Sequence, residues 1–326
     1  MAKHHYVPQF YMRYFRIPNS TSSVYAYRRQ HESERRNTQS VGFKKNFNSY
    51  VDESGKNNDA LESIFSQLED KVKPILDRIM TTEKVKLSKT ERADLAYFIT
   101  TMHTRNEAFR RRTKAGYIGM MKMIESISAQ NKDAFMHNLK EAGVDATDEQ
   151  AEEVRQTFIN QDYELDFGNE DYFLGIALQM SQELYPYVAT KDIHLVKAPS
   201  TNFFVTSDDP VTIHAASNIH PMRAAGFQNG IILFPISPKF CLVLKNKKSP
   251  KPPKITPHDI VDEMNEHTAA NTHMYVFSNI KSDEIRDMLN KSNEDDQGSA
   301  VLTWGNERRI YKPPKPKKKN KKHGTS

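Results

Sequence analysis

A single cysteine, Cys241, stands in 326 residues, so no disulfide can form within the chain. It sits in the apolar run Phe240-Cys241-Leu242-Val243-Leu244, which predicts a buried, inert thiol in a strand rather than a nucleophile. No run approaches the roughly 18 apolar residues that cross a bilayer, and the opening MAKHHYVPQF has no apolar signal core. A cytoplasmic protein without a membrane partner is the expectation. Also missing are a glycine-rich phosphate loop, a paired-cysteine zinc motif, His-Glu-x-x-His and Gly-x-Ser-x-Gly. These absences argue against nucleotide-driven motors, zinc fingers and the common hydrolases, and no nucleotide cofactor is expected. Ser207 has Asp208 beside it but no local base, so it forms no triad.

What the chain does contain is enough apolar residue for a core. Hydrophobic residues make up 37% and charged residues 27%, and although the mean hydropathy is −0.73, Leu, Ile, Val, Phe and Met recur throughout. The formal charge of +6 is smaller than the seven lysines of the terminal stretch KPPKPKKKNKKHGTS, so the remainder of the chain is one charge negative. The basic character therefore belongs to a tail over 312–326, expected to be disordered. Lys315, Lys317, Lys318, Lys319, Lys321 and Lys322 would give salt-sensitive, sequence-blind attraction to nucleic acid.

Along the chain, the aromatic-rich segment from His4 to Phe15 reads as buried, with Pro8 opening a short helix. Short strands are predicted over Ser23–Tyr27 and Gln39–Phe43. Leu61, Ile64, Phe65, Leu68, Val72, Ile75, Leu76 and Ile79 follow a helical period. A second helix opens at Ser88 with Glu91 completing a capping box and is extended by Arg110-Arg111-Arg112, read as an ordinary solvated helix end. Further helices are expected over 114–167, one opening at Thr147 with Gln150, and from Asp171 to Leu184; Met120-Met121-Lys122-Met123 reads as core. Beyond Asp192 the pattern turns to strands over 194–196, 202–206, 231–234, 240–244 and 273–277, with a helix near 257–270. The fold class predicted is α+β, with a helical N-terminal half and short strands packed on a mixed or antiparallel sheet from the C-terminal half. Residues 1–311 read as a single domain with a helical insertion at about 114–167.

Four places carry candidate chemistry. Asp208 and Asp209 leave a strand end into a turn fixed by Pro210, a placement that serves either a site or backbone bonding within a turn. His4 and His5 are imidazoles beside an apolar segment, and on an extended chain they point to opposite faces, so one of them enters a site. Glu69 and His103 each stand four residues after an apolar helix position and can face inward, and Arg105 follows as a cation suited to a phosphate.

These segments resemble the microbial family called domain of unknown function 4238, over most of the chain. The resemblance rests on His4-His5-Tyr6-Val7-Pro8-Gln9-Phe10-Tyr11 with Arg13 and Phe15, and on the helix bearing Glu62 and Glu69. It rests also on the run from Phe204 through Thr206-Ser207-Asp208-Asp209-Pro210-Val211, on Phe234-Pro235-Ile236-Ser237-Pro238, and on the helix bearing Asn265. His103 departs from the glutamine that members more often carry there. The resemblance implies that His4, His5, Gln9, Glu69, Asp208 and Asn265 belong together, and it supplies no reaction. The leading expectation is a phosphodiesterase or nuclease, in phage conflict, dependent on Mg²⁺ or Mn²⁺. In it His5, Glu69 and Asp208 are metal ligands, with His4 the alternative imidazole, and Arg105 binds phosphate. The alternative is a non-enzymatic binding or regulatory module braced by a structural His/Asp network. A structural network needs these groups buried and bonded; a catalytic one needs them lining a solvent-reachable pocket.

Overall fold

The computed structural model describes residues 3–167, 171–214, 226–247, 258–291, 300–304 and 307–311, the last two stretches as backbone alone. The lysine tail read as a nucleic-acid contact, Lys315 to Lys322, lies outside them. The fold is α+β, and the chain divides into two compact units, one of Met1–Arg110 with Asn169–Gln297 and one of Arg111–Gly168 with Gly298–Ser326.

In the first unit, β1 (Lys3–His5) leads into the short helix α1 (Gln9–Arg13) and then β2 (Ser23–Tyr27), β3 (Glu34–Asn37), β4 (Phe43–Lys45), β5 (Tyr50–Val51) and β6 (Asn57–Asn58). Two long helices follow, α2 (Ala60–Thr82) and α3 (Lys89–Thr104), and α4 (Glu107–Gln130) starts two residues after α3's cap. The chain returns as α7 (Asp171–Ala189), which packs on α3. It continues through β7 (Asp192–Lys197), β8 (Thr206–Ser207), β9 (Thr212–His214), β10 (Ile231–Ser237) and β11 (Phe240–Lys245), then α8 (His258–Asn271), β12 (Val276–Ser278) and α9 (Asp283–Lys291).

Two four-stranded sheets, both antiparallel, organise this unit: β7-β11-β10-β9 and β3-β2-β12-β8. The second is built from both ends of the chain, since β12 pairs with β2 on one side and β8 on the other. The main core gathers Val7, Tyr11, Met12 and Phe15 of the opening segment, Val72 and Leu76 of α2, Phe98 and Ile99 of α3, and Phe234 and Leu242 of the first sheet.

Ser88 opens α3 with a complete capping box. Pro8 precedes α1, and Cys241 is fully buried, with burial pushing its thiol up, as an inert core residue requires. On α2 the buried stripe runs from Phe65 to Ile79, while Ile64, counted with it by spacing, is 53% exposed.

Several predicted strands are shorter or absent, each because its backbone groups have other partners. Gln39–Phe43 is a 3-10 turn at Thr38–Ser40 followed by Gly42 at φ 63°. The Gly42 carbonyl accepts from Tyr6 N and Val7 N at 2.9 and 3.2 Å. A Cβ there would stand 3.2 Å from Val7 Cβ, so only glycine suits both the turn and the approach. Over 202–206 only Thr206 joins a ladder, because Phe203 O and Val205 N are bonded to the Asn265 side chain and Phe204 N to Pro238 O. Over 273–277 the strand starts at Val276, because three preceding amides serve Asp208.

The arginine run is not a continuation of α3 either. Asn106 interrupts the helix: its side-chain amide donates to Met102 O and His103 O at 3.0 and 2.9 Å, and its Oδ1 accepts from Phe109 N at 2.7 Å. One side chain thus satisfies the end of α3 and the start of α4. Arg110 falls in the first turns of α4, buried, with its guanidinium 3.9 Å over the Phe47 ring and a bond to Phe47 O at 2.9 Å.

In the second unit, α5 (Lys132–Glu141) and α6 (Asp148–Asn160) pack together, α6 opening on the Thr147/Gln150 capping box. Strands β13 (Ala300–Trp304) and β14 (Glu307–Tyr311) form an antiparallel hairpin. Met120, read as core from sequence, is 42% exposed, and Ile124 and Ile127, which follow it at helical spacing on the same face, are 56% and 47% exposed.

Candidate functional site

The opening strand separates the two histidines as alternation requires. His4 is 2% exposed. Its Nδ1 accepts from Asn48 N at 3.0 Å, which places the ring proton on Nε2, 3.6 Å from Asp59 Oδ1. Asn48 in turn donates to Glu62 Oε1 at 2.5 Å, and Ser49 donates to Asp59 Oδ1 at 2.5 Å. His4 is thereby the centre of a bonded polar network under the N-terminus of α2.

His5 points the other way, into an open cleft of about 230 Å³. One wall is β1 and α1, bringing His5, Gln9 and Phe10; the other is α2, where Glu62, Ser66, Glu69 and Lys73 recur at four, three and four residues and so share one face beside the buried stripe. Gln9 Nε2 lies 3.4 Å from His5 Nδ1. Burial lowers the His5 pKa below the usual histidine value, against the pull of the Gln39 backbone and the Glu62 charge, so the ring is neutral at neutral pH. Glu69 is half-buried at the cleft and burial raises its carboxyl, while Arg105 opposes the rise. Arg105 Nη2 donates to Glu69 Oε1 at 3.0 Å. Its guanidinium lies 4.1 Å over the Phe65 ring, and its Nε and Nη1 have no hydrogen-bond partner among the described residues.

Asp208 lies elsewhere in the unit, 1% exposed. Its Oδ1 accepts from His273 N at 3.0 Å and its Oδ2 from Met274 N and Tyr275 N at 2.7 and 3.1 Å. Burial pushes its carboxyl up to about 7, with the three amides pulling the other way. Asp209 accepts from Asn106 Nδ2 at 2.9 Å, which ties the turn to the α3–α4 junction. Asn265 grips the neighbouring backbone with both ends of its amide, accepting from Val205 N at 3.0 Å and donating to Phe203 O at 2.8 Å. It also lines a second cleft of about 310 Å³ between α8 and α9. His103 packs its ring against Phe227 and Phe109, at 4.9 and 5.8 Å between centroids.

The structure therefore brings His5, Gln9 and Glu69 together, with Arg105 behind Glu69. It places His4 in the adjoining buried network, Asp208 and Asn265 in backbone-holding roles at the sheet, and Asp209 against the Asn106 side chain. His5, Glu69 and Asp208 do not converge on one point. Among the described residues, the group of three potential ligands that does converge is His214, Glu263 and His267, none of which stood out in the sequence. Only Glu263 and His267, four apart on one helix, left a local signal. Asn106 was missed as well, although an asparagine before Glu107 inside a helical stretch is a recognisable cap.

The motif segments that carry the family resemblance meet through one hydroxyl. Tyr11 donates to Pro235 O at 2.6 Å, lies 2.7 Å from Thr206 Oγ1 and stacks on Phe234 at 5.2 Å. No curated protein and no solved structure matches the chain. The match that is found covers residues 3–282, which takes in every motif described above, and the chain belongs to the family described as protein of unknown function (DUF4238).

Proposed function

We propose that the chain is a non-enzymatic binding module. In this reading the Asp208, Asn265 and His4 networks hold a rigid scaffold, and the His5 cleft takes a small polar ligand through a neutral imidazole, the Gln9 amide and three carboxylates. The observation that carries it is the engagement of Asp208, whose two oxygens already accept three main-chain N–H bonds in a buried turn. A carboxylate so held braces a loop. The cleft's own electrostatics favour a ligand bearing an ammonium or other donors over a phosphate. Glu62, Glu69 and Asp70 face it, whereas Lys73 is paired with Asp77 at 2.6 Å and Lys3 sits over the Phe43 ring. Arg105 is bonded to Glu69.

A metal-dependent phosphodiesterase or nuclease is the second reading, favoured by the three-ligand group at His214, Glu263 and His267. The two are separated by one set of variants. Labelled single- and double-stranded DNA and RNA are incubated with Mg²⁺, Mn²⁺, Zn²⁺ or chelator, using wild type, His5→Ala, His267→Ala, Asp208→Asn and a deletion beyond Lys312. The expected result is no cleavage by the folded wild type. In parallel, spermidine and inorganic phosphate are titrated while the His5 imidazole resonances are followed, and spermidine alone is expected to shift them. Metal-dependent cleavage by the folded wild type that is abolished at unchanged melting temperature, by His5→Ala or by His267→Ala in the three-ligand group, would replace the binding module by the enzyme.

A further inference from the structure

His214 closes β9, an edge strand of the sheet β7-β11-β10-β9. Glu263 and His267 stand four residues apart on α8 and so share one helix face. One ligand atom from each of the three lies within 4.8 Å of the others. The two imidazole rings are 3.8 Å apart between centroids, tilted by 65°, and His267 Nε2 is 3.9 Å from Glu263 Oε1. The neighbouring acid on the helix, Asp262, is engaged separately with His258 at 3.0 Å.

A second observation points to a ligand. His214 Nε2 is buried and has no hydrogen-bond partner among the described residues, a condition that buried nitrogens seldom keep unless an ion or water completes it. Against the His214 ring lies that of His267, and the side chains of His267 and Glu263 are 44% and 66% accessible. The arrangement is a half-buried base with two adjustable arms reaching in from solvent.

We propose that His214, Glu263 and His267 bind a divalent cation of the zinc class, through two imidazole nitrogens and one carboxylate oxygen, with water in the fourth position. Three ligands at the usual zinc distances stand roughly 3.3 Å apart in a tetrahedron, so the group closes onto an ion by modest rotation of the two accessible side chains. Nitrogen donors favour Zn²⁺ over the oxygen-seeking Mg²⁺ and Mn²⁺. The solvent-facing side of the group leaves the water position open, the coordination typical of zinc sites that polarise water. The ion would also fasten β9 to α8 across about 50 residues of sequence. None of this depends on the reading of the His5 cleft.

The test uses the full chain, freed of metal by chelator and titrated calorimetrically with Zn²⁺ and with Mg²⁺. Co²⁺ serves as a visible probe, because tetrahedral coordination gives it strong d–d absorption. Wild type is compared with Glu263→Gln, at an exposed position, and His267→Ala, at a half-buried one, whose metal-free melting temperatures are expected to stay close to wild type; His214→Gln is a third variant. Wild type is expected to bind a single equivalent of Zn²⁺ that Mg²⁺ does not displace. His267→Ala is expected to weaken Zn²⁺ by more than about 100-fold, beyond what a group outside the coordination shell costs, and to abolish the Co²⁺ spectrum. Absence of Zn²⁺ binding by wild type, equal binding by His267→Ala and Glu263→Gln, or displacement by equimolar Mg²⁺ would each overturn the site.

Discussion

Asp208 shows how a single side chain can organise a loop. Its carboxylate replaces a strand partner for the amides of His273, Met274 and Tyr275, which is why the strand after it begins only at Val276. Replacing it with alanine leaves three part-buried amides without that acceptor, each costing up to about 1–3 kcal/mol, so Asp208→Ala is expected to melt well below wild type. The milder Asp208→Asn tests the titration. The folded carboxyl takes its proton at about 7 against 3.8 for the ordinary aspartate, so between those values the folded state binds more protons than the unfolded one. Stability contributed by this group is present at low pH and is lost as pH rises through about 7. Melting temperature measured across this window is expected to fall with pH in wild type relative to Asp208→Asn; the opposite slope would mean that the amides outweigh burial and hold the group ionised. His4 and His5, adjacent in sequence, separate likewise by environment: the first is enclosed by Asn48, Asp59 and Glu62, the second opens on the cleft.

Among the elements, the α3–α4 junction is the point where local and long-range demands coincide. Asn106 is fully buried, caps both helices and holds Asp209. Ser88 at the other end of α3 makes an exposed capping box. Removing the Ser88 hydroxyl in Ser88→Ala is expected to cost about 1 kcal/mol, whereas Asn106→Ala loses two caps and leaves the buried Asp209 oxygen without that donor, for roughly 3 kcal/mol. Chemical denaturation of the two variants measures the difference, and equal losses would show that the junction matters only as a cap. The stripe on α2 shows a second coincidence. Phe65, Leu68, Val72 and Leu76 face the core while Glu62, Ser66, Glu69 and Lys73 line the cleft beside it, so the helix that fills the core also sets the spacing of the cleft's polar groups.

On the scale of the whole molecule, the first unit depends on pairing distant segments. Sheet β3-β2-β12-β8 joins strands from both ends of the chain, and Tyr11 links the opening helix to β8 through Thr206 and to β10 through Pro235. Tyr11→Phe keeps the ring on Phe234 and removes only the hydroxyl. It is expected to cost about 1–3 kcal/mol in a denaturant melt, with hydrogen exchange rising in β8 and β10 together. Exchange rising in α1 alone would show that the hydroxyl does not couple the sheets.

The sequence by itself determined the periodic and local features: the α2 stripe from Phe65 to Ile79, the Ser88 and Thr147 capping boxes, the strands through Phe240–Leu244 and the α+β class. Each depends on residues within a few positions of one another, where spacing alone carries the physics. It also marked His5, Glu69 and Asp208 as polar residues in apolar settings, the sign that a partner must exist. Which partner each one has was decided only by tertiary structure. Asp208 meets amides 65 to 67 residues away, Asn265 takes over backbone groups that would otherwise extend β8, and His214 meets α8 with the paired strands β10 and β11 between them in sequence. A carboxylate or imidazole satisfies its bonding with backbone, side chain or ion alike, so its residue type does not name its partner; that follows from which segments the packed core brings within hydrogen-bond reach.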